Sequence, residues 1–281
     1  MNKPILCFGE VLWDLLPQGK ILGGAPFNVA FRLHELGEPT LFCSGIGNDI
    51  LGADIQKQLE NFGVPFQLKI NEKLVTGVVN VSLALDGSAS YQIEDPAAWD
   101  EIDVPQAWNG DLVFGSLALR HKSNEQALLA LAQKANKVYF DVNLRAPYFS
   151  FEKIENWIKF VHLVKFNEEE FEWFLFNKKW KPSSAIQQFF EEYTSTMLCI
   201  TKGESGAIFA INQHQVFEAT APKIELADTI GAGDAFFASL IHGMRRGSHP
   251  QDCLEKACRI GAFVASQNGA TTPIGKDLNR I

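Results

Sequence analysis

The stretch Asp228-Thr229-Ile230-Gly231-Ala232-Gly233-Asp234 places small residues between two carboxylates, directly before an apolar run. Residues 235–244 of that run predict a helix, and the first turn of a helix offers unbonded N–H groups and partial positive charge. Glycine and alanine leave those groups accessible, so the stretch predicts an anion site with Asp234 beside it as a base. Taken alone, the same residues also fit a tight turn in which Asp234 caps the helix.

A second glycine-rich stretch, Gly23-Gly24-Ala25-Pro26-Phe27-Asn28, lies near the N-terminus. Proline at a helix start and Asn28 in the first turn predict a helix whose beginning faces a polar ligand. By itself this pattern is also typical of an ordinary loop-to-helix junction.

These two stretches, in this order along the chain, resemble the two signatures of the PfkB (ribokinase-like) family of sugar kinases. The opening Gly9-Glu10-Val11-Leu12-Trp13-Asp14-Leu15-Leu16-Pro17 is similar to the fructokinase branch. The resemblance spans essentially the whole chain. It implies a ribokinase-like α/β fold, three-layer α/β/α with a mostly parallel central sheet and a small β lid, and an ATP-dependent kinase that uses Mg2+.

The composition agrees with a cytoplasmic enzyme that binds small molecules. The 281 residues carry a formal net charge of -8, which gives no general attraction to nucleic acid or to an anionic membrane. The five cysteines are odd in number and scattered, as in a reduced cytosolic protein. Neither a leader nor a run long enough to cross a bilayer is visible, and the spacing of the six histidines does not fit a zinc site.

Apolar runs alternate with helical patterns along the chain, which predicts a mostly parallel sheet covered on both faces. The predicted strands are 5–8, 40–44, 112–117, 138–143, 163–167, 197–201 and 207–211. From residue 66 the pattern changes to successive strands, with alternation at Val79, Val81, Leu83 and Leu85 and a turn at Asp86-Gly87. We therefore expect one kinase domain, residues 1–281, that contains a β lid formed by residues 66–98 together with 11–22.

The resemblance assigns phosphoryl transfer to the glycine-rich stretch before the predicted helix. The N–H groups of Gly231, Ala232 and Gly233 would hold the oxygens of the transferred phosphoryl group, and Asp234 would accept the proton of the attacking hydroxyl. Asp228, the first residue of that signature, matches a position that in relatives often helps to hold a monovalent cation. This match implies K+ as a further cofactor.

Asn167-Glu168-Glu169-Glu170 follows a predicted strand and resembles the Asn-x-x-Glu motif of the family. The resemblance implies that Asn167 and Glu170 place Mg2+, mainly through water, and oxygen ligands with retained waters suit this ion. The alternative is a solvated acidic helix start, which the helix dipole also favours.

Two segments resemble the nucleotide-binding parts of the family. Thr201-Lys202-Gly203-Glu204-Ser205-Gly206 follows a predicted strand and is similar to the Thr-x-Gly-x-x-Gly loop, so Thr201, Gly203 and Gly206 are expected to contact ATP. Ala265 and Asn268 match the segment that borders the adenine in relatives. Without the resemblance, the first segment fits a hairpin turn and the second fits helix packing.

The sugar is expected between the lid and the main sheet, with six candidate contacts. Asp14 can accept from two adjacent hydroxyl groups, although solvation at a strand end is the alternative. Gly24 lets the backbone approach the sugar, and Arg145, in the fructokinase-like segment 141–145, would meet a phosphate or a hydroxyl. The remaining candidates are Asn28, which both donates and accepts, and the pocket walls Trp13 and Phe27.

Other enzyme classes fit the sequence less well. Residues 45–52 hint at a dinucleotide fingerprint, but the third glycine comes two residues too late. The sequence contains neither a P-loop nor the Gly-x-Ser-x-Gly motif of serine hydrolases. Fructose is the expected sugar, while ribose, a 2-keto-3-deoxy sugar acid, a nucleoside, or a non-catalytic sugar-binding regulator of the same fold stay open. A homodimer through the lid is the expected assembly.

Overall fold

The computed structural model describes residues 3–16, 19–83 and 89–275. Leu85 and the turn expected at Asp86-Gly87 lie outside the described residues. Strands and helices alternate through most of the described chain. In order they are β1 (Ile5–Phe8), β2 (Leu12–Leu16), β3 (Gly19–Gly23), α1 (Ala25–Glu35), β4 (Thr40–Gly47), α2 (Ile50–Phe62), β5 (Phe66–Asn71), β6 (Gly77–Leu83), β7 (Ala89–Ile93), β8 (Asp111–Gly115), α3 (Lys122–Ala132), β9 (Val138–Asp141), α4 (Phe151–Ile158), β10 (Leu163–Asn167), α5 (Glu168–Lys178), α6 (Ala185–Glu192), β11 (Met197–Thr201), β12 (Ala207–Asn212), β13 (Gln215–Ala219), α7 (Ala232–Arg246) and α8 (Pro250–Ala265).

A nine-stranded sheet forms the middle layer, in the order β13-β12-β11-β10-β9-β8-β1-β4-β5. The seven strands from β11 to β5 in this order are parallel, and β12 and β13 extend the sheet antiparallel. A parallel pair needs a crossover connection, which the intervening helices supply. The sheet therefore has the mostly parallel α/β architecture that the sequence predicts.

Both faces of the sheet are covered, because side chains alternate between them along each strand. On β9, Phe140 joins an aromatic cluster with helices α3 to α6, whereas the adjacent Tyr139 faces the cluster formed with α1, α2, α7 and α8. Each face thus has its own apolar core. Helices α7 and α8 lie side by side on the second face, which positions the start of α7 near the ends of the strands.

A second sheet of four strands has the order β3-β2-β6-β7. Strands β2 and β3 form an antiparallel pair, and β2 runs parallel to β6, with Leu12 opposite Gly77. The expected lid boundary at residue 66 is wrong, because β5 pairs in parallel with β4 at the edge of the large sheet. Strand β5 follows the α2 crossover and therefore belongs to the parallel sheet. Because no helix separates β5 from β6 among the described residues, the sequence pattern does not show that the two strands join different sheets.

Two expectations from the sequence concern the cysteines and segments that could cross a membrane. The five cysteines are buried and carry free thiols. Within the described ranges, no helix combines the length and apolar character that crossing a membrane requires.

Candidate functional site

The candidate site lies where the parallel strands end and helices α1 and α7 begin. Parallel strands present their carboxyl ends at one edge of the sheet, and ligands of open α/β sheets bind outside that edge. Glu10 follows β1, Asp141 ends β9 and Asn167 ends β10. Asn28 in the first turn of α1 contacts Asp234 in the first turn of α7, which joins the two glycine-rich stretches across 206 residues of sequence.

Helix α7 begins with amide groups that no side chain of the described residues caps. Gly231 precedes the helix with φ of 74°, and a Cβ there would overlap Ala270, so both conformation and space require glycine. Gly231, Ala232 and Gly233 are partly exposed. The helix starts three residues before the predicted 235–244 range, and its first turn therefore combines accessible N–H groups with the positive end of the helix dipole.

Asp234 is a buried carboxylate in this first turn, only 9% exposed. Its Oδ2 accepts a hydrogen bond of 2.8 Å from Nδ2 of Asn28, whose Oδ1 has no partner among the described residues. Burial, followed by the negative charge of Asp141, raises the pKa of Asp234 to about 6, against the opposing effects of Asn28, Lys165 and Arg145. The group is therefore ionised at neutral pH yet basic enough to accept a proton.

Asp14 reaches the same region from β2 of the small sheet and is half-buried. Burial raises its pKa to about 6, while the positive charge of Arg145 lowers it and the negative charge of Asp228 raises it. A Cβ on Gly23 would lie 2.5 Å from Asp14 Oδ2, so glycine leaves room for this carboxylate. Gly24 has φ of 116°, and a Cβ there would overlap the carbonyl oxygen of Glu10.

Both aromatic residues that were expected to wall the sugar pocket are buried. Phe27 is fully buried, and its ring packs 5.7 Å from that of Phe42 and 6.0 Å from that of Phe62. It faces the core because it lies on the inner side of α1, so it does not fit a wall contacting sugar. Trp13 is 4% exposed, and its Nε1 donates to the carbonyl oxygen of Leu51 over 3.0 Å, which ties β2 to α2.

Asn167 and Glu170 form a reciprocal cap at the start of α5. Asn167 Oδ1 accepts from the N–H of Glu170, and Glu170 Oε2 accepts from the N–H of Asn167, each over 2.8 Å. The other oxygen, Glu170 Oε1, accepts from the N–H of Leu144 over 2.8 Å. Both carboxylate oxygens thus hold backbone groups and retain one lone pair each, which fits an ion contacted through water better than a direct ligand.

The expected nucleotide residues lie in two segments, one at the end of β11 and the other at the end of α8. Thr201 ends β11, and Gly206 has φ of 98° at a point where a Cβ would overlap the carbonyl oxygen of Ala219. The carbonyl oxygen of Ala265 accepts from the N–H groups of Ala227 and Asp228. Asn268 is exposed, and Gly203 has φ of 54°.

Asp228 links the segment after α8 to the turn before α7, since its Oδ1 accepts from Ile230 N over 2.9 Å and its Oδ2 from Gly269 N over 3.2 Å. The carboxylate therefore organises the turn before α7 in addition to any contact with a cation. Its negative charge also raises the pKa of Asp14, which indicates that the two carboxylates act on one region.

Two buried charged residues of the site were missed from the sequence. Glu10 is 4% exposed, and burial, its largest influence, raises its pKa to about 7. Lys165 is 5% exposed and donates from Nζ to Asp141 Oδ1 over 2.8 Å. A lysine inside an otherwise apolar strand was a usable signal, because lysine is rarely fully buried without a partner.

Comparison with known proteins agrees with the fold and the motifs. The family model described as "pfkB family carbohydrate kinase" matches residues 16–277 of this chain. Fructokinase from Escherichia coli is 30% identical over 300 residues, which cover 98% of this chain and 97% of that protein. A fructokinase double mutant from Vibrio cholerae O395, in fructose, ADP and potassium ion bound form, has a TM-score of 0.83 at 24% identity and covers 97% of this chain and 96% of its own.

A different activity is also represented among the similar structures. Aminoimidazole riboside kinase from Salmonella enterica, complexed with aminoimidazole riboside and an ATP analog, has a TM-score of 0.81 at 22% identity. The alignment covers 99% of each chain. At this level of identity the two solved structures support the fold.

Proposed function

The chain belongs to the pfkB family of carbohydrate kinases, and from this premise we propose that it transfers the γ-phosphoryl group of ATP to a primary hydroxyl of fructose, giving fructose 6-phosphate. The observation that carries the proposal is the buried carboxylate of Asp234 beside the uncapped first turn of α7. A base and an anion site in one turn are the two parts that phosphoryl transfer needs from a protein.

In this mechanism Asp234 accepts the proton of the sugar hydroxyl as the hydroxyl oxygen attacks the γ-phosphorus of ATP, and the bond from that phosphorus to the oxygen that leaves with ADP breaks. The N–H groups of Gly231, Ala232 and Gly233 stabilise the negative charge on the phosphoryl oxygens. Asn28 keeps Asp234 oriented through its 2.8 Å hydrogen bond. Asn167 and Glu170 would hold the waters of a bound Mg2+, which would neutralise charge on the phosphates.

On the nucleotide side, Thr201, Gly203 and Gly206 would contact the phosphates, and Ala265 and Asn268 would border the adenine. Asp228 would assist a monovalent cation, K+, near the anion site. The Vibrio cholerae fructokinase, in its fructose, ADP and potassium ion bound form, supports this part of the proposal.

On the sugar side, we assign Asp14 as the main anchor, with Arg145 and Gly24 beside it. A carboxylate can accept from two adjacent hydroxyl groups, and such charge-assisted bonds discriminate between similar sugars. The 30% identity to Escherichia coli fructokinase supports fructose. The similar aminoimidazole riboside kinase makes a riboside the second candidate, because its structure matches this chain over 99% of its length.

A coupled assay of ADP release tests the substrate over fructose, other hexoses, ribose, 2-keto-3-deoxygluconate and aminoimidazole riboside. We expect fructose to give the highest kcat/KM. A higher value for a riboside or ribose would refute the fructose assignment and retain the kinase. Sugar binding without ADP release on any substrate would instead indicate a non-catalytic regulator.

Asp14→Ala tests the anchor, with Asp14→Asn as the matched variant that keeps the shape and removes the charge. Loss of a charged hydrogen-bond partner in a buried pocket costs about 2 to 4 kcal/mol, or roughly 30- to 1000-fold in kcat/KM. We expect this loss for fructose in Asp14→Ala, while the affinity for ATP measured by calorimetry stays unchanged. An equal loss of ATP affinity would mean that the variant disturbs the fold of the site.

A further inference from the structure

Lys165 is a buried cation to which the proposed mechanism assigns no role. It lies in the middle of β10, on the same face of the sheet as Leu163, which packs in the core beneath α7 and α8. Val164 and Phe166 point to the core on the other face. A lysine in an apolar layer requires a partner, because removing the charge from water is costly. Asp141 is that partner, directly beside it in the parallel register of β9 and β10.

The ion pair is almost completely enclosed. The side chains of Lys165 and Asp141 are each 6% exposed, and their charged atoms are 2.8 Å apart. Burial opposes the charge of Lys165, but Asp141 and Glu170 outweigh it and raise the pKa of the lysine. The ammonium is therefore a fixed charge at neutral pH.

The ammonium lies beneath the first turn of α7. A Cβ placed on Gly233 would be 3.6 Å from Lys165 Nζ, and the ring of Phe237, one turn further, is 6.0 Å away. A cation next to the positive end of a helix is unfavourable for folding. The arrangement becomes favourable when an anion occupies the same turn, which is the place proposed for the phosphoryl group.

We propose that Lys165 is a positioning residue for phosphoryl transfer: its ammonium, held by Asp141 beneath Gly233, adds positive charge to the anion site at the start of α7. This inference rests on the proposed kinase function. The lysine acts through the helix turn and does not contact the substrate. Its effect is largest in the transition state, when charge on the phosphoryl oxygens and on the attacking oxygen is redistributed toward that turn.

The test compares Lys165→Met, Asp141→Asn and the double variant with wild type, using the best sugar of the wild type. Lys165→Met alone leaves Asp141 buried without a partner, which destabilises the fold, whereas the double variant removes both charges. We expect kcat of the double variant to fall about tenfold to 100-fold, with sugar KM within twofold, since one oxyanion donor in direct contact contributes more. Lys165→Arg, which keeps the charge, should recover part of the lost kcat.

A matched control is Lys178→Met, which removes another paired lysine, 2.8 Å from Glu155 at the far end of α5. This variant should change the melting temperature and leave kcat unaltered. If the Lys165 variants behave in the same way, the ion pair only supports the fold and the inference is overturned.

The pH profile adds a readout that a purely structural pair would not move. Charged groups face Asp234 from three sides: Asp141 and Arg145 from β9 and the segment after it, Lys165 from β10, and Glu10 from the segment after β1. Lys165→Met should move the acid limb of kcat/KM to higher pH, and Asp141→Asn should move it to lower pH. In the double variant the two shifts should largely cancel.

The role of Lys165 can also be tested without turnover, by measuring the binding of ADP together with aluminium fluoride, a mimic of the transferring phosphoryl group. In magnesium buffer, calorimetry should show at least tenfold weaker binding of this complex by the double variant and equal binding of ADP alone. Equal binding of both ligands overturns the role of Lys165. A wild type that phosphorylates no sugar overturns the proposed function, and this binding comparison still decides the role of the lysine.

Discussion

Replacing the proposed base should make the protein more stable while making it inactive. The pKa of Asp234 is raised from 3.8 to about 6, chiefly by burial. Between these two values the folded state binds more protons than the unfolded state, so the free energy of unfolding decreases as the pH rises through this window. Above pH 6 the full cost of the buried charge is present.

The size of that cost follows from the pKa shift. A shift of roughly two units corresponds to about 3 kcal/mol, an upper limit because residual solvation and relaxation reduce it. Asp234→Asn removes the charge and keeps an oxygen that can accept from Asn28. We therefore expect a gain of about 1 to 3 kcal/mol in the free energy of unfolding at pH 7.5, or roughly 2 to 6 °C in melting temperature.

Turnover should change in the opposite direction. Loss of a general base lowers kcat by about 100- to 10,000-fold, while sugar affinity stays close to that of wild type because the base acts mainly on the transition state. Coupled ADP release measures kcat, and calorimetry measures sugar binding. In the wild type, kcat/KM should fall below pH 6, where Asp234 becomes protonated.

The same substitution at Asp49 provides a control of opposite sign. Burial would raise the pKa of Asp49, but hydrogen bonds from Thr76 and Gly52 outweigh burial and lower it. Asp49→Asn should therefore reduce the melting temperature at pH 7.5. Thermal unfolding of both variants at pH 7.5 and 5.5 tests this contrast, and the gain from Asp234→Asn should shrink at the lower pH. A lower melting temperature for Asp234→Asn at pH 7.5, or kcat within tenfold of wild type, would refute the reasoning.

Three further outcomes are expected. Glu170→Gln should raise the Mg2+ concentration for half-maximal rate with sugar KM unchanged; a magnesium titration that does not move would leave Glu170 as a helix cap alone. Gly206→Ala should weaken ATP binding and lower the melting temperature, because the added Cβ would overlap Ala219; calorimetry and thermal unfolding measure both, and wild-type values would show that the loop adapts. Amide exchange in β2, β3 and β6 should slow when sugar binds, with β8 as the unchanged reference; equal exchange with and without sugar would make the small sheet a rigid part of the fold.

The parts of the fold that could be predicted are those in which local sequence decides structure. The bounds of β1, β10 and β11 match the predicted strands because each is a short apolar run ended by a polar or glycine-rich segment. The position of β5 could not be read in the same way. Its pairing with β4 depends on a crossover through α2, and a strand pattern does not reveal which sheet a strand joins.

The site was predictable in its motifs and not in its contacts. Small residues before α7 indicated an anion site, and the structure leaves that turn uncapped within its described residues. The hydrogen bond between Asn28 and Asp234 joins residues 206 positions apart, and a sequence pattern does not reveal such a distant contact. The pattern around Asn28 therefore indicated a sugar contact and gave no sign of its contact with Asp234. The burial of Phe27 against Phe42 and Phe62 could not be predicted either, because a single aromatic residue does not show which side of a helix faces the core.

The balance of charge in the site explains why an enzyme of this design would depend on cations. Burial is the largest cause of the raised pKa of Glu10, Asp14 and Asp234, and carboxylates facing one another add to it. The carboxyl groups outnumber the two cationic side chains nearest to them, Lys165 and Arg145. Because ATP brings further negative charge, binding requires positive charge from elsewhere, which the first turn of α7 supplies only in part. Mg2+ carried with the nucleotide would offset the remainder, so the same acidic surroundings that keep Asp234 basic would also make ATP binding depend on the metal.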